Sequence, residues 1–562
     1  MLGITMLISS VLTATSVTIA EPVDGETYDG DWLPLKVIVE NENTVPDSVH
    51  YTLNSGTVTQ IPRLNTDWDT YMRDNSRRGS TEAPGPLTSD VLWTANVTGT
   101  YHEFISPIIV DGRLYHASED QETAFCLDAA TGEILWSFPG LGDPIDDALA
   151  YDNGYVYVAS DSVWCLDALT GEKVWSYLGH EDHEMAGPPA IRGGILYSEE
   201  WKQNTSYITA LNSATGAFIW EKYLPTRTAS TLTVTDDLVL VPTANGPLYA
   251  LSRADGEIVW EYENCSYGFW DTSPVVVDET VFIGGFDGVN SLDLSSGSPN
   301  WKTDIGGRVE CTPCYYEGNL YVGAAFPEAE KKTVCLDSET GSVVWQSEGG
   351  LHASMGAAGG YLYWGDTWDG TINCTDASSG ELVWSYPTNS SICGIVSSPA
   401  IVDGVMFIAA TDSCLYAFGA GFKYTYREDF FYADIGDNEL IVTSWDGGES
   451  VAADTINFTV TETGTALEPS RQLSLSASPN PLTRSTASIS FDLAEPGLVS
   501  LKVFDLAGRT VVHLIDQEMV QGEHSVQWNG QDQYGEEVSA GLYLCRMEAD
   551  GVTETTGLCL LK

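Results

Sequence analysis

The stretch that decides the fold is "CLDAATGEILW", Cys126–Trp136, because "CLDALTGEKVW", Cys165–Trp175, repeats it almost unchanged 39 residues later. With the spacing [DNS]-x-x-[TSD]-G-x-x-x-W as a template, seven copies follow, ending at Trp136, Trp175, Trp220, Trp260, Trp301, Trp345 and Trp384. Their glycines are Gly132, Gly171, Gly216, Gly256, Gly297, Gly341 and Gly380, each four residues before its Trp. A carboxylate at Asp128, Asp167, Asp293, Asp337 or Asp376 suits the turn because it accepts backbone N–H groups, while the glycine takes the positive φ that closes it. Asn212 and Ser252 fill that place in the other two copies. Two residues before it stands a small residue every time, a Cys in four copies (Cys126, Cys165, Cys335, Cys374), which reads as a volume limit in a packed sheet and not as redox chemistry.

Upstream of each copy lies an apolar strand, a two-residue turn such as Asp111-Gly112 or Gly359-Gly360, and an aromatic-rich strand. Each unit is then four short antiparallel strands in about 40 residues, the blade period of a propeller. Eight hairpins accompany seven complete motifs, the last unit ending near Ala417 without its Gly-to-Trp strand. The missing strand stands at the other end as "VLWTANV", with Trp93 placed 43 residues before Trp136. Pairing it into the last blade closes the ring and removes two free sheet edges, so eight blades are expected over residues 63–420. The repeat resembles the quinoprotein-type, or PQQ-like, family. That resemblance implies that the Trp of each unit packs against the neighbouring blade.

The flanks are also β-rich. Residues 21–62 and 421–460 hold about three strand-like runs each, so together they suit one immunoglobulin-like sandwich split by the inserted ring. After a linker at 461–472, residues 473–562 read as a C-terminal β-sandwich. Its "SPNP" (478–481), "VFDLAGR" (503–509), "WNGQDQYG" (528–535), "VSAGLYLCR" (538–546) and final Lys562 resemble the type A sorting domain of the type IX secretion system. They also resemble the immunoglobulin-like module of flagellar hook-cap proteins, with Asn529 and Cys559 as departures. The resemblance implies export by the type IX machinery to the cell surface or the medium.

Composition agrees with an exported all-β protein. Residues 1–20 are apolar and free of charged side chains, which reads as a signal peptide cut near Ala20. No later segment is long and apolar enough to span a bilayer. Asp and Glu number 80 against 24 Lys and Arg, a formal charge of −56, and such a surface repels nucleic acids and anionic membranes. Eleven cysteines, an odd count, do not make a disulfide framework, although Cys545 and Cys559 are candidates for one bridge. The spacing Cys311-x-x-Cys314 runs into an inner strand, where residues three apart face opposite ways, which weakens a redox or zinc reading.

The segments after each Trp lead to the innermost strand of the next blade and gather about the axis. They carry His102, Glu103, Asp146, Asp147, His183, Glu184, Arg227, Trp270, Asp271, Arg308, Glu310 and His352, a set suited to binding a ligand in an axial funnel. "HEDHE", 180–184, has donors suited to a transition metal but at an unspecific loop spacing, and no metal site is assigned. Two functions of different class follow. One is an exported binding scaffold, monomeric, for a protein, glycan or small molecule, without a cofactor. The alternative is a quinoprotein dehydrogenase oxidising an alcohol or sugar with PQQ and Ca²⁺, an Asp serving as base. The chain has no adjacent Cys-Cys pair and no C-x-x-C-H haem motif, and no cofactor residue of the family can be placed on it. On sequence alone the expectation therefore leans away from an enzyme, and no residue is named as catalytic.

Overall fold

The computed structural model describes most of residues 16–461 and 474–561; among the segments left out are 98–104, 143–148, 181–183, 264–267, 325–330, 350–352 and 391–393. Two compact units emerge, residues 1–462 and 463–562. The larger is built from repeated four-stranded antiparallel sheets in a propeller-like array. In the first, Ile108–Val110 is innermost, followed outward by Arg113–Ser118, Thr123–Asp128 and Ile134–Pro139. The pattern recurs to Ala400–Val402, Val405–Ala409 and Leu415–Phe418, whose fourth strand is Val91–Ala95, with Trp93 opposite Ala417. Most innermost strands of neighbouring sheets touch, and Ala400–Val402 touches Ile108–Val110, so first and last sheets meet.

The repeated motif explains how neighbouring sheets lock. Each motif glycine has a positive φ, and its bare Cα faces the Trp ring of the preceding sheet: a Cβ on Gly216 would lie 2.8 Å from Trp175, one on Gly256 2.7 Å from Trp220. The same indole donates Nε1–H to a carbonyl of the next turn, Trp175 to Ser213 O and Trp260 to Leu294 O. Asp128 Oδ1 accepts the backbone N–H of Ala130 and Thr131 and the Thr131 hydroxyl, which fixes the turn. Where the last sheet lacks its own motif, Trp384 donates instead to Pro86 O, seven residues before Trp93 as Ala129 is before Trp136. Cys165, Cys335 and Cys374 lie buried opposite Trp175, Trp345 and Trp384, and burial pushes their thiols up to about 12.

A second device was not visible in the repeat. Residues 67–86 coil through the end of the channel next to the inner hairpin turns and bond each sheet in chain order. Trp68 exchanges both backbone bonds with Ile109, the Tyr151 N–H donates to Asp69 O, and Val276 to Ser76 O. Tyr315 donates to Arg78 O, Ala357 to Gly79 O, and Gly404 to Pro84 O. The Asn75 side chain takes both backbone groups of Ile191, and the Asn75 backbone carbonyl accepts Val234 N–H.

Residues 16–61 and 422–461 form two further sheets. In one, Ser16–Glu21, Trp32–Asn41 and Phe422–Tyr432 lie side by side; in the other, Thr27–Asp29, Glu449–Thr461, Gly436–Asp446, Ser48–Leu53 and Thr59–Ile61. Val17 and Ile19 are buried in this core, so a cut near Ala20 would remove most of a paired strand. The unit 463–562 stands on a three-stranded and a five-stranded sheet around Phe491, Trp528 and Met547. Its register sets Cys545 opposite Thr556 and Cys559 opposite Leu542, and Cys545 is a free thiol, so the bridge considered between the two is not formed. Among the described residues no helix is long and apolar enough to cross a membrane.

Candidate functional site

Successive sheets run inward, outward and back, so the Trp-strand connectors lie at the opposite end of the channel from residues 67–86. Three consecutive connectors supply a cluster of charged groups there. Arg227 follows the third complete motif, Asp271 the fourth, and Arg308 and Glu310 the fifth. The Arg227 guanidinium lies 3.6 Å from the centre of the Trp201 ring, and Arg308 lies 4.4 Å from that of Phe286 while its Nη1 is 3.6 Å from Glu310 Oε1. These stacks hold two cations beside flat apolar faces, a suitable seat for a planar anion.

The acids between them are perturbed. Asp271 has a positive φ of 53°, which for a non-glycine residue stores about 1 kcal/mol or more of strain. Its residue is exposed to solvent, although protein crowds the carboxyl on its other sides. That desolvation, reinforced by the charge of Glu310 and opposed by Arg227, raises its carboxyl to about 6. Glu310 is itself buried and raised, by desolvation first, with Arg308 pulling it back. The site thus contains a carboxyl that exchanges its proton near neutral pH, flanked by an aromatic-backed guanidinium.

The neighbouring third sheet has longer middle strands, Ile195–Lys202 and Thr205–Asn212, and these add Trp201 and two buried glutamates. Glu199 shares a strand face with Trp201, and its carboxylate lies so close to Gly187 that a Cβ there would be 2.4 Å from Oε1. Glu200 faces the other way; its Oε2 accepts the His180 N–H and lies 3.0 Å from His180 Nδ1. His180 also stacks on Tyr207 at 4.2 Å and lies 3.5 Å from Glu221. Below the mouth runs a belt of hydroxyls, one at the start of most innermost strands. Ser273 N–H donates to Thr312 Oγ1, Thr312 to Ser354 Oγ, Ser354 to Ser398 Oγ and Ser398 to Ser106 Oγ.

Of the residues expected from sequence, Arg227, Asp271, Arg308 and Glu310 are brought together. His102, Glu103, Asp146, Asp147, His183, Trp270 and His352 lie outside the described residues, and of Glu184 only the backbone, opposite Trp201, is described. Sequence reasoning missed Trp201, Glu199 and the hydroxyl belt. Ser/Thr-Pro at 106–107, 273–274, 312–313 and 398–399 was a legible sign of the belt. Cys311 and Cys314 are separately bonded, Cys311 to Gly323 and Cys314 to Gly79 O, and burial holds both thiols above their ordinary value. Among the described residues no three His, Cys, Asp or Glu side chains are grouped to hold a metal.

The family model described as outer membrane protein assembly factor BamB, of the PQQ repeat type, matches residues 78–197, 161–268, 267–349 and 329–421. The chain belongs to this family. A BamB of Yersinia pestis is 24% identical over 359 residues, covering 58% of this chain and 88% of its own length. Among solved structures, the quinohemoprotein alcohol dehydrogenase of Comamonas testosteroni superposes with a TM-score of 0.53 at 16% identity, covering 66% of this chain and 82% of that one. The alcohol dehydrogenase ADHIIG of Pseudomonas putida HK5 gives 0.51 at 14% identity, over 75% and 83%. The expectation that leaned away from an enzyme is corrected by these structures, since the BamB-type ring shares its fold with dehydrogenases and that lean has no support in the fold.

Proposed function

We propose that the chain is an extracytoplasmic eight-bladed propeller whose connector-side funnel binds a small planar anion, and that the reaction there is PQQ- and Ca²⁺-dependent oxidation of an alcohol or sugar. The observation that carries this reading is the conjunction of the Trp201-backed Arg227 guanidinium with Asp271, a carboxyl raised to about 6 beside it. PQQ is flat and carries three carboxylates, so Arg227 on Trp201 and Arg308 on Phe286 fit its anionic half. Among the described residues no three His, Cys, Asp or Glu side chains are grouped to hold the Ca²⁺, so no step is assigned to it. When bound, the quinone supplies the two-electron acceptor. Asp271 is ionised above about pH 6 and takes the hydroxyl proton of the substrate.

The test is to add PQQ and Ca²⁺ to the purified chain and assay dye-linked oxidation of alcohols and sugars, beside Asp271→Asn. Turnover that rises through about pH 6 and falls about 10²-fold or more in the variant, with quinone still bound, supports the reading. Quinone that fails to bind overturns it.

A second reading, favoured by the family match, is a scaffold that presents its loops to a protein, glycan or small-molecule partner. It extends to export. Residues 473–562 act as a type A sorting domain for type IX secretion, the sheets of 16–61 and 422–461 form one immunoglobulin-like sandwich around the inserted ring, and the protein works as a monomer. The quoted C-terminal motifs support the export part. Deleting residues 463–562 should trap the chain in the periplasm, and normal export of the truncated chain would contradict it.

A further inference from the structure

The coil formed by residues 67–86, which includes the short strand Ser80–Thr81 paired in parallel with Ala357 and Ala358, serves no role in the chemistry above, yet it is bonded to sheet after sheet. It bonds one equivalent position, two residues before the hairpin turn, in seven consecutive innermost strands: Ile109, Tyr151, Ile191, Val234, Val276, Tyr315 and Ala357. In a chain with 24 basic residues, three arginines fall within 73–78. Arg77 is fully buried at the centre; Nε and Nη2 donate to Leu232 O, and Nη1 donates to Thr70 Oγ1 and Tyr71 O. Arg73 Nη1 donates to Ser80 O. Met72, Arg73 and Arg77 all adopt positive φ, a conformation that side chains tolerate only when the surroundings enforce it. Tyr71 extends toward the hydroxyl belt, its OH 2.9 Å from Ser354 Oγ and 3.3 Å from Thr312 Oγ1.

We propose that residues 67–86 are a central lock: they seal the channel at the hairpin-turn end and hold the innermost strands at fixed spacing, so the funnel is blind and fills only from the connector mouth. The ring otherwise closes through the single strand Val91–Ala95, which the same segment leads into. One buried guanidinium, satisfied by carbonyls and a hydroxyl, therefore ties local strand order to ring closure. This proposal does not depend on the ligand and is tested without one.

Hydrogen exchange on the full chain reads it directly. The amides of Tyr151, Val234, Val276, Tyr315 and Ala357, which donate to the lock, should exchange as one group with a common opening in graded urea. Arg77→Ala should speed that group at least tenfold while amides in the second and third strands of the same sheets keep their protection. Tyr71→Phe, which keeps the packing, should speed the Thr312 and Ser354 amides by a smaller factor. Independent rates for the five amides in the wild-type chain would overturn the proposal even if Arg77→Ala fails to fold. So would a folded Arg77→Ala chain with unchanged exchange.

Discussion

At the scale of the residue, one glycine and one tryptophan per sheet junction carry the ring. Gly216 meets the Trp175 ring with φ at 68°, so a methyl group there faces both a clash and an unfavourable backbone. Gly216→Ala should destabilise the ring by about 2–4 kcal/mol, measured by denaturant unfolding; a change near zero would mean that the junction yields easily. Asp69, within the central coil, makes a different prediction. Burial first, then Asp74 and Asp67, raise its carboxyl to about 7, with Arg77 and Arg73 opposing. Its folded value exceeds the unfolded one, so its contribution is fully present below about pH 4 and is lost as pH rises through about 7. Asp69→Asn should flatten the fall in stability between about pH 4 and 7, and an unchanged slope would assign that fall elsewhere. The residue scale is also where sequence reading reached furthest. A glycine four residues before a Trp is a pattern of local steric demand, and such demands are written in order along the chain.

At the scale of the element, the closing strand Val91–Ala95 completes a sheet whose other strands come some three hundred residues later. Trp93 packs over Gly132, donates to Ala129 O and lies 5.8 Å from Phe407. Trp93→Ala should cost about 3–5 kcal/mol and expose the first and last sheets to protease before the others. Uniform proteolysis around the ring would contradict that placement. The central coil and the hydroxyl belt, by contrast, were not read from the sequence. The coil works through bonds to the backbone of distant strands and the belt through side-chain hydroxyls that accept backbone N–H groups from the next sheet, and a segment such as "DWDTYMRDNSRRGSTEAPGP" carries no strand period by which to recognise it. For the same reason Trp201 and Glu199 escaped notice. They belong to a strand that is ordinary in the repeat and becomes part of the site only because that hairpin is longer than its neighbours.

At the scale of the whole molecule, the charge of −56 acts on everything else. Mutual repulsion opposes the compact state, and salt screens it over about 10 Å at 0.1 M. The melting temperature should rise from 10 mM to 0.5 M NaCl and then level off, by scanning calorimetry; a steady fall would mean that the carboxylates are held mainly by internal ion pairs. The same field disfavours an anionic ligand, and Arg227 on Trp201 and Arg308 on Phe286, with Asp271 and Glu310 beside them, are the cations this site offers against it. That anion seat is the central claim. Isothermal titration of the full chain with PQQ in the presence of Ca²⁺, wild type beside Arg227→Leu, tests it most directly. The account predicts one site per chain in the wild type and at least tenfold weaker binding in the variant. Equal binding in both, or none in the wild type, would contradict it.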